Sequence, residues 1–189
     1  MEIFSPTSIF APTFSSTELC KIAKIDRKLV NLWLERDVIQ PSRTEQLPVR
    51  TRPYFSCVAI FKARLTHELS GLLDIGASSS SIAGLGAEVA DNPTIPTPEI
   101  LRVIHVAASE GWMHGSARAV ERGKPLNFYA GLSRSERCWE FRMDQDVHKL
   151  AGHFKKLPFV LIPIGTLFDA VYLDCKSVFE GRGIEKRPK

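Results

Sequence analysis

Several large classes of protein are excluded by what this chain lacks. Its four cysteines, Cys20, Cys57, Cys138 and Cys175, are scattered and form no C-x-x-C pair. That spacing argues against a disulfide framework or a zinc site. Cys20 and Cys57 fall within apolar helical patterns, where a reduced thiol behaves as a small buried hydrophobe. No stretch approaches the roughly 20 apolar residues of a membrane-spanning helix. The opening MEIFSPTSIFAPTF also lacks the continuous apolar core of a signal peptide. The expectation is a cytoplasmic protein with no membrane partner.

Catalytic chemistry is equally hard to find. No glycine-rich phosphate loop follows a strand, because Gly84 and Gly86 sit in a weak helical pattern. His148 and His153 share a predicted helix at i, i+5, whereas metal ligands prefer i, i+4. His105 and His114 lie near Trp112, which could line a pocket, but isolated histidines are mostly structural or solvent-facing. Cys138 and Cys175 have no visible neighbouring base. The sequence points away from an enzyme, a metal or a cofactor.

Charge is ordinary in amount and uneven in placement. The net charge is +4 over 189 residues, too little by itself to imply a polyanionic partner. Between Lys21 and Arg64, however, ten Lys or Arg face four Asp or Glu, a local balance of +6. The remainder of the chain therefore carries −2, and the positive charge belongs to one early segment. A localised anionic partner follows.

Residues 1–13 read as an N-terminal arm, with Ile3, Phe4, Ile9 and Phe10 available to dock. Ser15-Ser16-Thr17-Glu18 supplies an N-cap signal, and Leu19, Ile22 and Ala23 follow at helical spacing. Asp26 is the next N-cap candidate. Val30, Trp33 and Leu34, with Leu29, form a second apolar stripe that runs out near Asp37, before Pro41. Residues 42–53 carry Pro48, Pro53 and Arg43, Arg50 and Arg52, and read as a hairpin or extended loop. A third helix starts at Ser56, runs through Val58, Phe61, Leu65 and Leu69, and ends at Gly71. A weaker fourth helix covers 77–90.

Two short capped helices separated by a tight turn make a helix-turn-helix, with the third helix completing a small core. In such units the second helix enters the major groove, leading with its N-terminal residues. Arg27, Lys28, Asn31 and Glu35 lie opposite Val30, Trp33 and Leu34. Arginine can bond guanine bidentately, asparagine can do the same to adenine, and lysine can reach a phosphate. Leu32 borders that face, within reach of a thymine methyl. A polar helix face alone is more often plain solvated surface. The arginine-rich stretch directly after it shifts the weight toward DNA.

The order Phe14-Ser-Ser-Thr-Glu-Leu-Cys, Ile25, Val30-x-x-Trp33-Leu34-Glu35-x-x-Val38-Ile39-x-Pro41 and Arg52-Pro-Tyr54-Phe55-Ser56 resembles the MerR-type winged helix-turn-helix over about residues 14–90. The resemblance implies Arg27, Lys28 and Asn31 in the groove as base readers. It places Arg43, Arg50 and Arg52 on a β-hairpin wing, with Tyr54 near the DNA backbone or packed beneath the wing. Three features depart from that family. The turn glycine expected near Lys24 is absent, Asp37 replaces a helix-ending glycine, and the long C-terminal dimerisation helix is missing.

The run DNPTIPTP at 91–98 is a stiff, proline-rich linker. Thr97-Pro98-Glu99 then starts a helix expected to run to Glu110 and stop at Gly111. Leu126, Phe128 and Ala130 alternate with polar neighbours, as do Trp139, Phe141 and Met143, which reads as a hairpin turning through 133–137. Val147, Leu150, Ala151 and Phe154 restore helical spacing. The runs 159–164 and 167–173 read as adjacent strands about a Gly165 turn, followed by a basic tail at 181–189.

The fold class is therefore a mostly α N-terminal winged helix-turn-helix at 14–90 plus an α+β C-terminal domain at 99–180. The second domain is expected to serve homodimerisation, a small-molecule or protein effector, or both. The function implied is a bacterial or phage sequence-specific transcriptional regulator acting on double-stranded DNA. The alternatives are an excisionase-like architectural factor of a mobile element, or a protein-interaction adaptor using a winged-helix domain.

Overall fold

The computed structural model describes residues 4–36, 38–49, 51–72, 97–134, 139–154 and 157–185. The predicted helix at 77–90, linker residues 91–96, Asp37, Arg50 and the centre of the predicted 133–137 turn lie outside that range. The architecture is mixed, with helices packed around two three-stranded antiparallel sheets.

The first sheet forms around a hairpin. Strand β2 (Arg43–Gln46) pairs with β3 (Thr51–Phe55), and the two-residue β1 (Phe14–Ser15) adds to the other side of β3. Helix α1 (Ser16–Ala23) starts in a full capping box. The Ser15 hydroxyl accepts from the Glu18 N–H, and the Glu18 carboxylate accepts from the Ser15 N–H at 2.8 Å. Helix α2 (Arg27–Glu35) is capped by Asp26, whose carboxylate accepts from the Lys28 N–H at 2.7 Å. A nine-residue helix is marginal in isolation, so α2 depends on burying Val30 and Trp33. Each such side chain contributes about 1.5–3 kcal/mol. Helix α3 (Cys57–Leu72) is started by Ser56, whose hydroxyl accepts from the Ala59 N–H.

After residues 73–96, which lie outside the described range, come α4 (Thr97–Ala107) and α5 (Glu110–Glu121). The sequence predicts one helix to Gly111, but the chain forms two. Ser109, extended at φ −65° and ψ 141°, occupies the N-cap position of a new helix that runs through Gly111, without a capping bond from its side chain. Strands β4 (Tyr129–Arg134), β5 (Trp139–Asp144) and β6 (Phe159–Ile162) build the second sheet in the order β5-β4-β6, with α6 (Val147–Phe154) between β5 and β6 in the chain. A Cβ on Gly131 would strike the Phe154 ring, so glycine lets α6 lie close on β4.

The strand expected at 167–173 is instead part of α7 (Ile164–Glu185). Ile164, Phe168, Val171, Tyr172 and Cys175 are all buried, at spacings that only a helix turns to one side. Gly165 is therefore no turn. It lies in the first helical turn, where a Cβ would collide with the Leu126 carbonyl. Of the residues read as a basic tail, 181–185 continue the helix to Glu185, and 186–189 lie outside the described residues.

One continuous apolar core joins these pieces. α7 packs on α1, α3 and α5. Phe168 sits 5.3 Å from the ring centres of both Phe61 and Trp112. The N-terminal arm is drawn in as well, with Phe4 and Ile9 buried and the Phe4 ring 5.3 Å from that of Tyr172. Among the described residues no helix is long and apolar enough to cross a membrane.

Candidate nucleic-acid interface

The turn between α1 and α2 has a special residue at its centre. Lys24 adopts the left-handed conformation, φ 55° and ψ 44°, and its N–H donates to the Cys20 carbonyl. A glycine is expected near this turn, and lysine holds the left-handed backbone at a cost of about 1–2 kcal/mol. The Arg64 guanidinium from α3 reaches across to the Ala23 carbonyl at 2.9 Å and pairs with Glu68. The end of α1 is thus capped by a side chain 41 residues away.

Beyond this turn α2 has two distinct sides. Val30 and Trp33 are buried, Leu34 and Leu29 are half-buried against the core, and Leu19 and Ile22 of α1 lie fully inside. Arg27, Lys28, Asn31 and Glu35 are exposed, with Leu32 half-buried at the border. Neither Arg27 nor Lys28 has a carboxylate within 4 Å among the described residues. The first turn of α2 therefore presents two cations without an ion-pair partner among the described residues, beside the Asp26 carboxylate that caps the helix.

The hairpin supplies a second cationic group. In its register Arg43 opposes Tyr54 and Glu45 opposes Arg52, so all four side chains share one face. The Arg43 and Arg52 guanidinium carbons lie 5.1 and 5.3 Å from the centre of the Tyr54 ring. Such cation–π contacts at exposed sites contribute about 0.5–1 kcal/mol each. The Tyr54 hydroxyl donates to Glu45 at 2.9 Å, and that bond to a carboxylate pushes the phenol above its usual range. Tyr54 thus braces two arginines while Glu45 holds Tyr54. Arg50 lies outside the described residues.

The root of the hairpin is tied to α3. The Ser42 hydroxyl accepts from the Ser56 N–H and donates to the Ser56 hydroxyl, both at 3.1 Å. Glu45, Ser42 and Arg64 were not singled out in the sequence. Glu45 is recoverable only once the strand register is known, and Arg64 only once α3 is seen to cross α1.

A further brace comes from the far end of the chain. Arg182 on α7 donates to Glu18 at 2.8 Å and to the Thr13 carbonyl at 3.0 Å. Burial pushes the Glu18 carboxyl up, but the Ser15 N–H and the Arg182 guanidinium outweigh it and hold it below its usual value. The cap of α1 is thereby pinned to α7. Among the described residues no group of three or more His, Cys, Asp or Glu side chains could hold a metal ion. No protein-family model matches the chain, and it shows no significant similarity to the curated proteins compared with it.

Proposed function

We propose that this protein is a sequence-specific double-stranded DNA-binding regulator of transcription, built on a MerR-like winged helix-turn-helix. In this reading α1 and α2 form the helix-turn-helix, and the β2–β3 hairpin is the wing. The observation that carries it is the exposed first turn of α2, where Arg27 and Lys28 have no carboxylate within 4 Å among the described residues, followed in the chain by a hairpin whose Arg43 and Arg52 are held on Tyr54. Arg27, Lys28 and Asn31 read base edges, the wing arginines take phosphates, and the helix N-terminus leads into the major groove.

A nine-residue reading helix spans few base pairs, so the protein acts as a homodimer on an inverted repeat in the cytoplasm. The part of the chain from α4 to α7 serves that pairing or an effector, and no enzymatic step enters this account. In-vitro selection of fragmented bacterial DNA by the purified protein tests the proposal. Recovery of an inverted repeat supports it, whereas selection that enriches nothing removes it. Sedimentation showing only monomer at micromolar concentration removes the dimer.

A further inference from the structure

A cleft of about 640 Å³ opens where the chain leaves α2, within the size range of small-molecule sites. It lies between residues 38–42, the first half of α3 and the last turn of α4, with Phe10, Ile39, Val58 and Ile104 supplying apolar wall. Polar side chains interrupt that wall, Ser56 and Lys62 among them. Ser56, only 5% exposed, accepts hydrogen bonds from the Ala59 N–H and the Ser42 hydroxyl. Its hydroxyl lies in the lining of the cleft. Lys62 lines the same cleft, with no carboxylate within 4 Å among the described residues. Glu110 is also in the lining, which disfavours a doubly charged anion.

We propose that this cleft binds a small monocarboxylate with an apolar body, and that binding is coupled to DNA recognition. The carboxylate meets the Lys62 ammonium and the Ser56 hydroxyl, and the body lies on the apolar wall. The coupling half rests on the DNA-binding reading above, whereas the binding half does not. The lining segment is fastened at both ends to the candidate interface. The Val38 N–H donates to the Trp33 carbonyl at 2.8 Å, and the Ser42 N–H donates to the Tyr54 carbonyl at 2.8 Å. A ligand bridging this segment to Ile104 thus acts on the relative setting of α2 and the hairpin. By linkage, DNA and ligand then change each other's affinity by the same factor.

Titration calorimetry of the whole protein without DNA tests the site, with phenylacetate and octanoate as probes and 2-phenylethanol as the uncharged control. The expected result is saturable binding of a carboxylate probe at one site. It should weaken about tenfold or more in Lys62→Gln and disappear in Ala108→Phe, which fills the cleft, with both variants keeping the native circular dichroism. No saturable heat at millimolar probe, equal binding of the alcohol, or indifference to both substitutions overturns the site. A duplex is then added. A changed DNA affinity in wild type but not in Ala108→Phe supports the coupling, and an unchanged one overturns the coupling alone. Carboxylate binding by a protein that binds no DNA retires the DNA reading, and the coupling with it, while the ligand site stands.

Discussion

Helices α2 and α7 both carry cationic side chains and use them in opposite ways. On α2, Arg27 and Lys28 stand in solvent with no carboxylate in reach among the described residues. On α7, Lys176 bonds both oxygens of Glu121, at 2.8 and 3.0 Å, and Arg182 is shared between Glu18, the Thr13 carbonyl and the Phe14 ring. The difference separates structural charge from charge available to a partner. A half-exposed pair contributes about 1 kcal/mol or less to stability. An uncompensated cation on a phosphate instead releases counterions, which makes binding strong and salt-dependent.

The comparison is broken most severely by removing a ring that α7 buries. Phe168 is fully buried against Phe61, Trp112 and Tyr172. Phe168→Ala should cost about 3–5 kcal/mol in urea denaturation, while any protein that remains folded should prefer the same DNA sequence as wild type. Arg27→Ala should do the reverse. It should leave the denaturation midpoint nearly unchanged and weaken the selected duplex by about 1–3 kcal/mol in anisotropy.

The tie between the two regions gives a smaller effect with a pH signature. Glu18→Ala removes the capping-box acceptor and the Arg182 pair together, and should cost about 1 kcal/mol at neutral pH. The Glu18 carboxyl is held below its usual value in the folded state. Its contribution is therefore complete above the ordinary glutamate range and is lost as pH falls through the depressed folded value. The gap between wild type and Glu18→Ala should narrow as pH falls below the ordinary glutamate range, as read by denaturation at stepped pH. A gap that stays constant down to pH 3 would show that the carboxylate charge contributes nothing.

The smallest effect concerns the turn. Lys24 sits in the left-handed region, so Lys24→Gly should stabilise the protein by about 0.5–1 kcal/mol by relieving backbone strain. A lower melting temperature in that variant would mean that the lysine side chain outweighs the strain.

Local chemistry made much of the fold legible. Hydroxyl and carboxyl caps at Ser15, Asp26 and Ser56 marked helix starts because they satisfy N–H groups that nothing else nearby can reach. Alternation in 126–143 gave a hairpin, although its first strand starts only at Tyr129. The stretch 167–173 was misread because a short, nearly continuous apolar run satisfies a strand and a helix alike. Only its continuation to Cys175 and the burial of Tyr172 decide for the helix. Gly111 looked like a helix end, but Ser109 resets the chain just before it. At the candidate interface, the exposed residues of α2 follow from helical period. The Tyr54 bracket does not, because it needs the exact pairing of Arg43 with Tyr54 across the hairpin. The Arg182–Glu18 contact joins residues 164 positions apart, and no local pattern encodes it.

The most direct test of the α2 reading is fluorescence anisotropy of wild type, Arg27→Ala and Arg52→Ala, each on the selected duplex and on a scrambled one. Low and high salt should both be used. Arg27→Ala should lose affinity for the selected duplex alone, so that the preference between duplexes collapses. Arg52→Ala should weaken both duplexes alike and flatten the salt dependence. Equal losses on both duplexes for both variants would contradict the claim that α2 reads bases.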